Sequence, residues 1–225
     1  MYDPIFLPSG SRSKRRYSNK SKGRLSGEGP VTTASHPDPF ILGYESGLER
    51  QVRAMFLVRP DVIDIIDQPF EILAVDDEGK PCTKIPDFWI KYVDGSSSAI
   101  EVKPMSRVKA LEFEQDLEFF SQFLQPDQAD EIILVTDESF ERWEAINAER
   151  LLEMRREPDE QADVAIENLA ACMTAPTTIG HLVDQANLGG RAFPAIFRAI
   201  YSGVLRQIED GTINLTTIVE KGTIQ

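Results

Sequence analysis

Apolar positions along the chain follow two alternating periods. From Tyr44 to Val58 the spacing is helical, with Leu48, Val52, Met55 and Phe56 falling on one face. Ser46 reads as the N-cap of that helix, and Glu49 stands three residues later as in a capping box. Asp61 to Val75 reads as a first strand region, and Asp76 to Lys80 as a charged hairpin tip. Phe88 to Val93 is aromatic and β-branched, which predicts a strand. Asp94-Gly95 is a turn signal, Ser96 to Ser98 are loop-like, and Ala99 to Lys103 form a second strand stopped by Pro104. Ser106 to Leu124 predicts one long amphipathic helix that buries Val108, Leu111, Leu117, Phe120 and Leu124. Glu131 to Val135 is short and apolar throughout, as in the centre of a sheet.

The order is therefore helix, three strands, helix, strand. It predicts an α/β fold with a mixed sheet flanked by helices, and it resembles the restriction-endonuclease-like core. Further helices are expected at 139–156, before Pro158, and at 163–173. Residues 177–225 change pattern. Thr177 to Val183 starts a short capped helix, Asn187 to Gly190 is a turn, and Ala192 to Tyr201 is a second helix. Val204 to Ile208 and Ile213 to Val219 then flank the hairpin signal Asp210-Gly211. Helix, turn, helix and hairpin make a winged-helix-like arrangement. The expected domains are an extended basic arm at 1–40, a nuclease-type domain at 41–173 and the winged-helix-like domain at 174–225.

Charge divides the chain. The formal net charge is −13 over 225 residues, which argues against tight DNA binding by the body of the protein, since neutralising phosphates takes Lys and Arg. Residues 1–24, however, hold Arg12, Lys14, Arg15, Arg16, Lys20, Lys22 and Arg24 against Asp3 alone, a net +6 that leaves −19 on the rest. Such an arm can track a phosphate backbone while partner proteins bring the acidic body to its site. Apolar runs are too short to span a membrane, and the start of the chain lacks the layout of a signal peptide. Cys82 and Cys172 are far apart and lack metal-ligand spacing. A bacterial cytoplasmic protein is expected. His36 and His181 have no nucleophile with them in the pattern, which gives acyl-transfer triads little support.

The candidate chemistry lies in the strand pair. Side chains two apart on a strand share a face, so Glu101 and Lys103 point the same way, and Asp87 opens the neighbouring strand. Two carboxylates and an ammonium at one sheet edge can hold Mg²⁺ or Mn²⁺ beside a cation. The pattern P-D…E-x-K resembles the PD-(D/E)xK nucleases. Glu49 has two competing uses, as the cap of its own helix or as a third carboxylate over the sheet, and the metal use is favoured. A bland alternative remains, because Glu-x-Lys on a strand is often only a solvated face.

Five segments in one order resemble the TnsA endonucleases. They are the arm Arg12 to Lys20, Ser46-Gly47-Leu48-Glu49, Ile65 to Phe70, Pro86-Asp87-Phe88, and Ile100-Glu101-Val102-Lys103-Pro104. The resemblance implies one half of a Tn7-like heteromeric transposase that cuts the 5′ strands at transposon ends. A TnsB-like DDE transposase acts on the 3′ ends, and a TnsC-like AAA+ regulator docks on the nuclease. Short members of the family also serve transposons guided by CRISPR complexes. Carried over by position, Glu49, Asp87 and Glu101 would hold two Mg²⁺, with Mn²⁺ able to substitute, and Lys103 would assist the attacking water. Gln often stands in the family where this chain has Glu101, and Glu strengthens the ligand set. In the winged-helix-like part, Phe193, Pro194 and Ala195 stand where base readout wants polar side chains, so protein docking ranks above DNA contact there. Two other readings stay open: a standalone nuclease of the same fold, of junction-resolvase or repair type, and a non-catalytic adaptor.

Overall fold

The strand pair that carries Asp87 and Glu101 lies inside a four-stranded mixed sheet. The computed structural model describes residues 7–15 and 25–222. The first elements are β1 (Gly27–Val31), β2 (Phe40–Tyr44), α1 (Gly47–Val58), β3 (Val62–Asp67), β4 (Ile72–Val75), β5 (Pro81–Lys84), β6 (Phe88–Tyr92) and β7 (Ser97–Val102). They are followed by α2 (Met105–Leu111), α3 (Phe113–Ser121) and β8 (Glu131–Val135). The main sheet has the order β3-β6-β7-β8, antiparallel except for the parallel β7/β8 pair. The pairs β1/β2 and β4/β5 form two separate ribbons. Helix α1 lies against β3 and β7, and α3 against β8. Val52, Ile65, Phe88, Ile90 and Ile100 are fully buried. Burial on this scale is what stabilises a sheet whose central strand β7 is buried at every position.

Several local expectations shift. The segment 61–75 is two strands, not one. The chain turns out of the sheet at Gln68, which takes a positive φ of 43°. Of the loop-like serines, Ser97 and Ser98 belong to β7, where they pair with Lys91 and Ile90 of β6. Ser97 N–H donates to Asp130 Oδ2 at 2.7 Å and Ser98 Oγ to Glu131 Oε1 at 3.1 Å. The long helix expected at 106–124 is broken at Glu112, whose φ of 49° is left-handed. That break turns Leu111 outward, 63% exposed, so the expected buried stripe loses it while Val108, Phe113 and Leu117 cluster together.

The segment expected as an extended arm contains a strand, since β1 pairs with β2. Part of the arm also lies along β3 as an edge cover. Ser35 N–H donates to Ile63 O, Lys14 N–H to Gln68 O, and Arg12 Nη2 to Ile65 O. These bonds occupy backbone groups that a bare edge strand would expose.

The chain divides into two compact units between Phe140 and Glu141. The second holds α4 (Arg142–Arg155), α5 (Glu160–Cys172), β9 (Thr177–Thr178), α6 (Ile179–Ala186), α7 (Ala192–Tyr201), β10 (Leu205–Gln207) and β11 (Ile218–Lys221). Its division from the first falls earlier than the 173/174 boundary read from sequence. The cause is packing: Leu151 and Met154 of α4 and Ala162, Ile166 and Ala170 of α5 share one core with Ile196 and Phe197 of α7. Strands β9, β10 and β11 form a small antiparallel sheet in the order β10-β11-β9. Ile213 is buried in a loop instead of starting a strand. No helix among the described residues is long and apolar enough to cross a membrane.

Candidate active site

A cleft of about 730 Å³ opens at the ends of β6 and β7. Glu45, Glu49, Lys84, Asp87, Glu101 and Lys103 all line it. The sheet register explains the meeting of the two central carboxylates. Phe88 pairs with Ile100 in an antiparallel ladder, so the residue before Phe88 faces the residue after Ile100. Those two residues are Asp87 and Glu101. Asp87 Oδ2 also accepts from Val102 N–H at 2.7 Å, which straps the end of β7.

Glu101 is 5% exposed, and its Oε1 is buried with no hydrogen-bond partner. Leaving a buried carboxylate oxygen unpaired costs about 1–3 kcal/mol or more, so such an atom marks a site built for something else. Burial pushes the Glu101 carboxyl up to about 7, against the opposing pull of Lys84 and Lys103. Burial, then the charges of Glu101 and Glu49, pushes Asp87 well above the ordinary carboxylate range. Groups of this kind cluster at functional sites because a bound cation removes the mutual repulsion.

Glu49 is placed by its helix. Ser46 Oγ accepts from Glu49 N–H at 3.1 Å, while Glu49 Oε2 accepts from Glu45 N–H at 2.6 Å. Ser46 therefore caps the helix through Glu49 N–H, while the Glu49 carboxylate takes the N–H of the residue before the N-cap, and its charge still reaches Asp87 and Glu101. Among the described residues, no group of three or more His, Cys, Asp or Glu side chains is arranged to hold a metal ion as it stands. The donor chemistry nevertheless fits a hard divalent cation. Asp87 and Glu101, at facing register positions, would supply oxygens, one of them the orphaned Oε1, and Glu49 would be a third donor.

Lys103 lies one residue past β7, with its N–H bonded to Val135 O. Its ammonium stands 3.8 Å from the ring centroid of Phe113. A second lysine, Lys84 at the end of β5, was not singled out from the sequence. Its Nζ donates to Asp116 Oδ2 at 2.6 Å and lies over Phe113 and Phe120. The available signal was its position three residues before Asp87, in the run Thr83-Lys84-Ile85-Pro86.

The arm residues part company. Arg12 grips Asp64 and stacks over Phe40, so its charge is spent inside the domain. Lys14 is exposed. Arg15 donates to Gln68 Oε1 at 2.9 Å and to Glu45 Oε2 at 2.7 Å, which brings it to the rim of the cleft. Arg16, Lys20, Lys22 and Arg24 lie outside the described residues.

A mixed sheet between helices, with paired carboxylates and a lysine at the ends of adjacent strands, fits the restriction-endonuclease-like class of nucleases. Residues 59–155 match the family described as TnsA-like endonuclease N terminal. The match supports a TnsA-like endonuclease of the PD-(D/E)xK type over that segment. The match takes in Lys84, Asp87, Glu101 and Lys103, but neither Glu49 nor the arm. No curated protein matches the chain.

Proposed function

We propose that this protein is a divalent-metal-dependent DNA endonuclease that cuts the 5′, non-transferred strands at transposon ends. The observation that carries the reading is the orphaned, buried Oε1 of Glu101 facing Asp87 across the ladder. Asp87 and Glu101 would hold Mg²⁺, or Mn²⁺ in its place, and Glu49 would join them as a third donor for two ions. The ions would supply Lewis-acid polarisation of the phosphate and a lower pKa for the attacking water.

The chain's own residues do the rest. Lys103 presents a positive charge to the phosphate as negative charge builds in the transition state. Lys84 and Lys103 together limit the repulsion within the acidic cleft. Arg15 at the rim, and the basic residues that follow it, contact the DNA backbone. A TnsB-like DDE transposase would process the other strand, and a TnsC-like AAA+ regulator would dock on the protein, as the family's transposition role implies.

The second unit is read as a winged-helix-like module: α6 and α7 are followed by the β9, β10 and β11 sheet. Protein docking is favoured over DNA contact for it. Arg191 is paired with Asp159, Arg198 with Asp163 and Arg206 with Glu220, so these three arginines are already ion-paired. Phe193 and Pro194 offer no donors to bases.

One observation favours a second reading, that of a non-catalytic adaptor: Glu49 Oε2 already accepts from Glu45 N–H. A Mn²⁺ titration separates the two. The nuclease reading predicts that Glu101→Gln binds Mn²⁺ at least about tenfold more weakly than wild type, given what losing one charged ligand costs. Equal affinity in both proteins supports the adaptor.

A further inference from the structure

Two lysines meet one aromatic ring beside the carboxylates, and they are anchored differently. Lys84 Nζ is 4.3 Å and Lys103 Nζ 3.8 Å from the ring centroid of Phe113. Lys84 also has Asp116 Oδ2 at 2.6 Å, a full ion pair, on a side chain only 11% exposed. Among the described residues, the ring is the contact found for the Lys103 ammonium. The difference matters chemically. A carboxylate anchor fixes an ammonium and cancels its charge. An aromatic face fixes it through the ring quadrupole and leaves the charge in place.

Local structure places the ring. Glu112 leaves α2 in the left-handed conformation, and Phe113 restarts the helix as a buried residue packed with Val108 and Leu117. A lysine stem has several rotatable bonds, and a nearby carboxylate such as Glu101 would draw it into direct pairing. A lysine paired in that way could offer little to a substrate phosphate.

We propose that Phe113 is a positioning residue of the active site: its ring holds the Lys103 ammonium, still charged, beside Asp87 and Glu101, while Asp116 keeps Lys84 from competing for the place. The proposal deepens the nuclease reading and rests on it.

The test replaces Phe113 in the full chain by 4-fluoro-, 3,5-difluoro- and 3,4,5-trifluorophenylalanine. Ring size is nearly constant along the series and the quadrupole weakens stepwise. Cleavage of transposon-end DNA in Mg²⁺ is measured with the partner proteins present. The expected result is a stepwise fall in kcat, reaching about tenfold at trifluoro, with KM and melting temperature nearly unchanged. The same slope is expected in a Lys84→Met background. In metal-free protein, the Lys103 Cε proton resonances, assigned with Lys103→Arg, are expected upfield from the ring current and at ordinary positions in Phe113→Leu. A flat series, a slope lost with Lys84→Met, or unshifted Lys103 resonances would each overturn the proposal. A flat series with Lys103→Ala inactive leaves the nuclease reading standing. Wild-type cleavage by Lys103→Ala overturns the proposal and leaves the nuclease reading standing, whereas a wild type that does not cut removes both.

Discussion

Arg12 holds Asp64 with both arms of its guanidinium, Nη1 to Oδ2 at 2.9 Å and Nη2 to Oδ1 at 2.6 Å, across 52 residues of sequence. The bidentate geometry, the stacking over Phe40 and the bond from Nη2 to Ile65 O make Arg12 a latch for the chain along β3. Burial raises the Asp64 carboxyl, and the Arg12 guanidinium, helped by Ile65 N–H and His36, outweighs this and leaves it below its ordinary value. Arg12→Ala is expected to destabilise the protein by about 1–3 kcal/mol at pH 7, read by urea unfolding, because Asp64 loses its charged donor. A carboxyl with a depressed folded pKa contributes stability above its ordinary pKa and loses it as the pH falls through the depressed value. The difference between Arg12→Ala and wild type should therefore shrink on acidification below about pH 4. An Arg12→Ala protein as stable as wild type, but weaker on DNA, would show that Arg12 serves phosphate contact instead.

The remaining arm charges are expected to behave differently. Replacing Arg16, Lys20, Lys22 and Arg24 by Gln, with Arg12 kept, should leave stability unchanged and weaken DNA binding. The log–log salt slope should flatten by about 0.9 for each phosphate that is no longer neutralised. Keeping Arg12 matters, since a deletion of residues 1–24 would also remove the latch on β3. An unchanged salt slope would exclude these four residues from backbone contact.

Glu101 gives a stability profile of opposite sign to that of Asp64. Burial sets its folded pKa at about 7 against an ordinary 4.5. The folded protein therefore binds this proton more tightly than the unfolded chain does. The contribution is fully present below the ordinary pKa and is lost as pH rises through about 7, on the order of 3 kcal/mol across the window. Asp87, raised for the same reason, adds in the same direction. In EDTA, wild type should lose stability between pH 5 and pH 8. Glu101→Gln should flatten that slope and be the more stable protein at pH 8. Adding Mg²⁺ should restore wild type alone. A wild-type stability that rises through this window would contradict the assigned environment of Glu101.

The parts of this protein legible in the sequence are those in which local pattern and function coincide. The β6/β7 pair follows from alternation, a turn signal and Pro104, so the sequence alone places Asp87 and Glu101 at adjacent strands. The N-cap was legible too, because Ser46 precedes an apolar helical run with Glu49 three residues on, and Ser46 Oγ does accept from Glu49 N–H. Long-range pairings were not legible. Arg12 sits in a polar, basic segment and reads as a DNA contact, while its partner Asp64 is hidden in an apolar strand. Lys84 reaches the site only because the β4/β5 ribbon folds Thr83-Lys84 toward α3. The break at Glu112 has neither Gly nor Pro to announce it, and Phe113 depends on that break. Helices α4 and α5 were recognisable as helices, but their allegiance to the second unit rests on shared burial with α7.

The most direct measurement is cleavage of end-labelled transposon-end DNA, mapped to the nucleotide on each strand. Wild type with its partner proteins and Mg²⁺ should cut the 5′ strand at the element's boundary. Asp87→Asn, with an unchanged fold and unchanged partner binding, should lose at least about 10³-fold in rate, since the reaction draws on several kcal/mol of metal-borne charge stabilisation. Cleavage by Asp87→Asn at the wild-type rate, or 5′ cuts that persist in EDTA, would contradict the account.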